Sequence, residues 1–430
     1  MMLRGIFPNL NYTIASYSPV TTFISFESFK EKDWKSSLGL ATNWKHSEMK
    51  GMIHHEARHY VDHMSTLWGQ KNLVSLYKAL NARLSLDETR FSDIVKYKKQ
   101  ERELHFADYY HELYNAYVWK SGAQNWEYQF STGFRFKDDG SFDERKPIMF
   151  VRFRTVDGKS LSRVPVSIAS LLETNATFQE VEVRDKYVNS QTPKKDLEKF
   201  NDWLMGSLIY NNDRSIYNVA AHLAANLLDI SDPRIAFRIC SSVASLTLNL
   251  PHKLVETLPI KNDEMQAWTN RPKDVLVNHE YGFIFFNLLN NYKEFYKKGK
   301  EYKLEDLLSE NKLPEEARIF EAVKLEMKEF ANEFYEENLK EYFLGLHQKG
   351  LELFNVRGVD GSNYSISKVL SSEVNKPNVI FSDSKIKSRF QEFSDVIKVM
   401  PLKEVNNDDF YQIASMTDER MNALFEIRGI

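Results

Sequence analysis

Residues 51–69 read GMIHHEARHYVDHMSTLWG and place four of the chain's 11 histidines within ten consecutive positions. Inside this stretch, His55-Glu56-Ala57-Arg58-His59 matches the pattern H-E-x-x-H. At about 100° per residue, Met49, Met52, Ile53, Tyr60, Met64, Leu67 and Trp68 gather on one broad face, which predicts an amphipathic helix. His55 and His59 lie beside that face, one turn apart, so both imidazoles can point at one ion. Glu56 projects between the apolar face and the histidines, near the ion without binding it. Zinc hydrolysis needs this arrangement: two neutral imidazoles leave the ion Lewis acidic, and the carboxylate takes a proton from the attacking water. Chance predicts roughly 0.02 such patterns in a chain of this composition, which weighs against the alternative of a surface helix carrying polar histidines.

The two other histidines of the stretch are excluded as ligands. His54 is rotated away from His55, and His63 sits about 12 Å along the axis from His55, too far to share one ion on a straight helix. The longer motif H-E-x-x-H-x-x-G-x-x-H is also excluded, because Asp62 holds its glycine position and Ser65 its final histidine position. Asp62 has two readings of equal weight: a carboxylate orienting a metal-bound imidazole, or an exposed helical residue.

A catalytic zinc takes three protein ligands. Glu101, Glu103 and Glu112 follow the motif at a convenient separation, and Glu173 lies further on in SIASLLETNAT. Glu173 is preferred over Glu112. Ile168, Leu171, Leu172 and Ala176 surround it with apolar side chains, so its carboxylate lies near a core and needs a partner, and Ser167 is placed to cap its helix. Tyr217 and His222 are the candidates named to stabilise an oxyanion, out of a group that includes Arg163, Tyr128 and Tyr210; Tyr60 is read as core.

The stretch His55 to Gly69, with Ser65-Thr66 and Gly69 trailing the motif, resembles the zincin metallopeptidases. The resemblance is to the gluzincin type, with a downstream glutamate as third ligand, and to uncharacterised bacterial members in which an E-x-x-A helix follows. Glu173 to Ala176 fits that E-x-x-A, whereas the N-E-x-x-S-D form is absent. The match covers these two short islands. It implies that His55, His59 and Glu173 bind zinc and that Glu56 is the general base.

The rest of the chain supplies the setting. Its 430 residues suggest two or three domains, and 42% apolar with 27% charged residues reads as globular. A single cysteine, Cys240, excludes an intrachain disulfide and is read as a buried structural thiol. A net charge of −3 with scattered Lys and Arg argues against nucleic acid. No apolar run is long enough for a membrane span, and no signal-like apolar region opens the chain, so a cytoplasmic location is expected. Phosphate-loop patterns are missing, and His279-Glu280 is no second zinc motif because Phe283 holds the partner position.

Coarse patterning predicts one or two strands interrupted near Pro19, helices through the motif and into NLVSLYKALNARLSL, and a further helix in QERELHFADYYHELYNAYVWK. Two strands within Ile148–Val166 meet at Val156-Asp157-Gly158-Lys159, a hairpin signal. They could offer an edge to an extended substrate or simply cover the core. Prolines 251, 259 and 272 mark a boundary, and Pro314 opens a charged helix. The expected fold is therefore α+β and predominantly helical: a zincin-like region over 1–250 with a short antiparallel β element, then a helical region over 251–430. The expected function is a zinc metallopeptidase acting on a protein or peptide. The alternative is a helical interaction or regulatory protein with a structural or vestigial metal site.

Overall fold

The computed structural model describes residues 15–430 apart from 107–109, 116, 118, 120–125, 138, 191–192, 262–275, 300, 336–337, 363, 391, 399–401, 403 and 429–430. Its β-branched and aromatic opening forms β1 (Ala15–Ser18) and β2 (Phe23–Phe26), antiparallel and turned through Pro19, as expected. After α1 (Glu31–Ser37) comes α2 (Trp44–Ser65), which carries the motif; the Asn43 side chain caps it by accepting from the His46 N–H. Thr66 ends α2 and caps α3 (Leu67–Ser85) by accepting from the Gly69 N–H. A side chain on Gly69 would collide with the His63 carbonyl at 2.1 Å, so only glycine allows this tight junction.

α4 (Phe91–His105) is shorter than its pattern suggests. Phe106 turns into the left-handed region at φ 58°, which ends the helix. Glu112 therefore lies not on a helix but on β3 (Glu112–Leu113), followed by β4 (Glu127–Phe136), β5 (Phe142–Arg154) and β6 (Ser160–Pro165). These strands form an antiparallel sheet in the order β3-β6-β5-β4. The Asp157-Gly158 turn forms where the sequence places it, with Gly158 at φ 83°. β5 lies between β6 and β4, β3 pairs with Ser162 and Arg163 of β6, and Val151, Phe153, Leu161 and Val164 are buried, so this hairpin covers the core.

Next come α5 (Ile168–Asn189), α6 (Lys194–Asp202), α7 (Ser215–Leu228), α8 (Pro233–Asn249) and α9 (His252–Val255). The chain continues through α10 (Tyr281–Tyr296), α11 (Leu304–Glu310), α12 (Glu316–Glu329), α13 (Lys340–Arg357) and α14 (Ile366–Ser371). Pro314 precedes the cap of α12, Glu315, and does not open that helix. Pro272 lies outside the described residues. β7 (Asn378–Ile380) then pairs parallel with β2, and α15 (Phe393–Lys398) and α16 (Asn407–Arg428) close the chain. The protein is thus a mixed, mainly helical fold with an antiparallel sheet.

α5 is the axis of the structure. Ser167 caps it, and its buried positions include Glu173, Thr174, Asn175, Gln179, Glu180 and Arg184 as well as the apolar ones. Polar groups so placed must find partners, and α5 finds them on α2 and α8. Two large apolar clusters flank this axis, and each draws on residues both before and after position 250. Val151 and Val243 join Phe286 and Phe354 in one; Ile53 and Leu76 join Phe343 and Phe410 in the other.

Candidate metal centre

The 3.6-residue period of α2 sets His55 and His59 one above the other, with their Nε2 atoms 3.2 Å apart. α5 brings Glu173 between them: Oε2 lies 3.3 Å from His55 Nε2 and Oε1 lies 3.5 Å from His59 Nε2. Their side chains are 10%, 12% and 4% exposed, so the group is nearly closed off from solvent. A tetrahedral ion with ligands at about 2.0–2.1 Å holds them about 3.3–3.4 Å from one another. The three observed spacings fit that requirement. Glu173 is moreover buried, so its charge is met chiefly by the two imidazoles. Among the described residues, this is the group of three or more His, Cys, Asp or Glu side chains able to hold a metal.

Electrostatics point the same way. Burial opposes charge on His55, but the hydrogen bond and charge of Glu173, with Glu56 and Glu180, outweigh it and lift the imidazole to about 9. Burial also opposes charge on Glu173, yet His59 and His55 hold its carboxyl down at about 2. A site this rich in negative charge favours a cation, which would displace the imidazole proton on binding.

Glu56 sits beside the triad and outside it. Burial pushes its carboxyl up against the pull of His55 and His59, and the Tyr17 backbone N–H on β1 donates to it. Tyr217 on α7 comes to the other side, its ring 5.9 Å from that of His55. Burial, then the charges of Glu173 and Glu56, raise the Tyr217 phenol well above its ordinary value, so it stays protonated and can donate. His222 is placed elsewhere. Its Nε2 donates to the Ile209 carbonyl at 2.9 Å, and its ring packs on Trp126 and Phe153.

A carboxylate that sequence reasoning passed over also approaches the centre. Glu180 Oε2 lies 3.8 Å from His55 Nδ1, the nitrogen facing away from the triad, which is buried and has no hydrogen-bond partner. Metal-binding imidazoles donate their second N–H to such groups. Arg184 bonds Glu180 in turn and lies over the Trp203 ring at 3.9 Å. Gly51 makes room for both, since a Cβ there would meet Glu180 Cγ at 3.0 Å and Arg184 Nε at 3.5 Å. The signal was periodic: Glu180 and Arg184 follow Glu173 by seven and eleven residues, on one helix face.

Asp62 matches neither of its expected roles. It is fully buried and accepts from Arg58 Nε at 3.1 Å on each oxygen, Arg357 Nη2 at 2.9 Å and Asn175 Nδ2 at 2.9 Å. Asn175 also accepts from Ser241, and Arg58 donates to Ser245, so the network ties α2, α5, α8 and α13 beneath the triad. Among the alternative ligands, Glu112 bonds Arg163, Glu101 bonds Lys98, and Glu103 bonds Arg135 and Lys146. His54 lies near Ser367, and His63 Nδ1 lies 2.9 Å from the His59 carbonyl oxygen; neither joins the cluster. His279 is likewise no part of it. Cys240 is buried. No described helix is long and apolar enough to cross a membrane. No family model matches this chain, and no curated protein or solved structure matches it.

Proposed function

We propose that this chain is a zinc-dependent metallopeptidase that hydrolyses peptide bonds of a protein or peptide substrate. The observation that carries the reading is the convergence of His55, His59 and Glu173 with Glu56 one residue along the same helix. Three protein ligands are the complement of a catalytic zinc, whereas structural zinc is closed by four. A zinc ion held by these residues supplies a Lewis-acidic centre that polarises a carbonyl and acidifies water.

The chain's own groups do the rest. Glu56, kept from ligation by its place on the helix, accepts the proton of the attacking water and returns it to the leaving amine. The Tyr217 phenol donates to the oxygen of the carbonyl under attack. Glu180 orients His55 through Nδ1, and the buried Asp62 network keeps α2 and α5 in register.

The test is metal content and peptide cleavage measured together on untagged protein. Wild type should hold about one zinc per chain. Glu56→Gln should keep the metal and lose about 10²–10⁴-fold in cleavage rate; His59→Ala should lose both. An absence of zinc after reconstitution, or a Glu56→Gln variant that cleaves like wild type, would refute the reading.

A further inference from the structure

A cavity of about 800 Å³ lies apart from the metal cluster and shares none of its residues. Its volume is that of a small-molecule site. Trp68, Phe91, Phe106 and Tyr281 give it aromatic walls, and Val166 and Ile168 add aliphatic ones. Five cationic side chains, Lys71, Lys96, Lys99, Arg135 and Lys146, line it against two carboxylates, Glu103 and Glu280. In a chain whose net charge is −3, such a local excess of positive charge runs against the whole.

The cations are not all spent on those acids. Arg135 places its two terminal nitrogens on Glu103 and Glu280, yet its Nε is buried in the wall without a hydrogen-bond partner. Backbone polarity adds to the side chains. Trp68, Phe91, Ile168 and Tyr281 stand within the first two residues of α3, α4, α5 and α10, so four helices begin at this cavity. Each brings partial positive charge to the same space.

We propose that this cavity binds a small molecule that joins a flat aromatic body to an anionic group. The aromatic walls take the body by stacking and burial, and the cationic side takes the anion. Lys71 and Lys146, now paired with Glu326 and Glu103, can exchange those partners for the ligand. The site does not depend on the metal reading. It does share α5 with it, since Ile168 lies five residues before Glu173.

The experiment titrates the full chain with 8-anilinonaphthalene-1-sulfonate, an aromatic sulfonate that fluoresces on burial, and in parallel with uncharged N-phenyl-1-naphthylamine. One saturable site per chain is expected, and the uncharged analogue should bind about tenfold more weakly. Lys96→Glu with Lys99→Glu, both exposed positions, should weaken the sulfonate by a similar factor. Ser92→Trp, also exposed and lining the cavity, should block both dyes by filling it. Binding without saturation, equal affinity for the uncharged analogue, or sulfonate affinity unchanged in either variant overturns the proposal.

Discussion

Asp62→Asn is the substitution whose outcome the structure constrains most tightly. The change keeps the shape of the side chain and removes its charge, at a position with no exposure to solvent. Two guanidiniums then lose their shared counter-ion while remaining buried, Arg58 at 1% and Arg357 at 0% exposure. Breaking a buried pair from one side costs about 3–5 kcal/mol. With 430 residues, an unfolding entropy of about 2.1 cal/mol/K per residue gives about 0.9 kcal/mol/K, so Tm should fall by about 3–6 °C. Differential scanning calorimetry at pH 7 reads this directly. Adding Arg357→Met, which removes one stranded cation, should recover part of the loss. The pH dependence has a definite sign. Burial pushes the Asp62 carboxyl up, but Arg58 and Arg357 overcome it and hold it below the usual carboxylate range. A depressed folded-state value means that the stabilisation is present above the unfolded value near 3.9 and lost as pH falls through the folded one. The gap in Tm between wild type and Asp62→Asn should therefore narrow only in acid below about pH 4. A variant within about 1 °C of wild type at neutral pH would show that the network does not carry the load assigned to it.

Further outcomes follow from other parts of the molecule. Glu180→Ala should weaken metal affinity about 10–100-fold without changing the one-metal stoichiometry, by calorimetric titration; Gly51→Ala, which crowds the same carboxylate, should act in the same direction, and wild-type affinity in both would remove Glu180 from the site. A chain ending at residue 255 should fail to fold, because both apolar clusters and the Asp62–Arg357 pair would be cut; a cooperative melt of that fragment would contradict this. Burial pushes the Cys240 thiol well above its ordinary value, so native protein should resist a disulfide reagent that labels the one thiol fully in denaturant. Rapid labelling of the native chain would place Cys240 at the surface.

What could be read in advance was what repeats along one element. His55, Glu56 and His59 are neighbours on a single helix, so pattern alone brings them together. Glu173 was reachable because a carboxylate among Ile168, Leu171, Leu172 and Ala176 has to be partnered. Asp62 was reachable only in part: Arg58 stands four residues back on the same helix, but Asn175 lies on α5 and Arg357 on α13, 295 residues away. A still longer separation, 355 residues between Ile24 and Val379, hides the parallel pairing of β2 with β7. Local pattern also misled where a single backbone angle decided the outcome. The residues around Phe106 read as continuous helix, and one left-handed residue ends it and leaves Glu112 on a strand.

The pairing of β2 with β7 sets a timetable for the molecule. At about 5–20 residues per second, a ribosome that has made the motif helix works for about 15–65 s more before β7 is complete. For most of that interval the two histidines exist without Arg357 beneath them, and throughout it β2 lacks the strand on its far side from β1, the strand whose Tyr17 N–H meets Glu56. The finished centre depends on α13 and β7 as much as on α2. In a chain interrupted before β7, the motif helix is present while the strand beside β2 is missing.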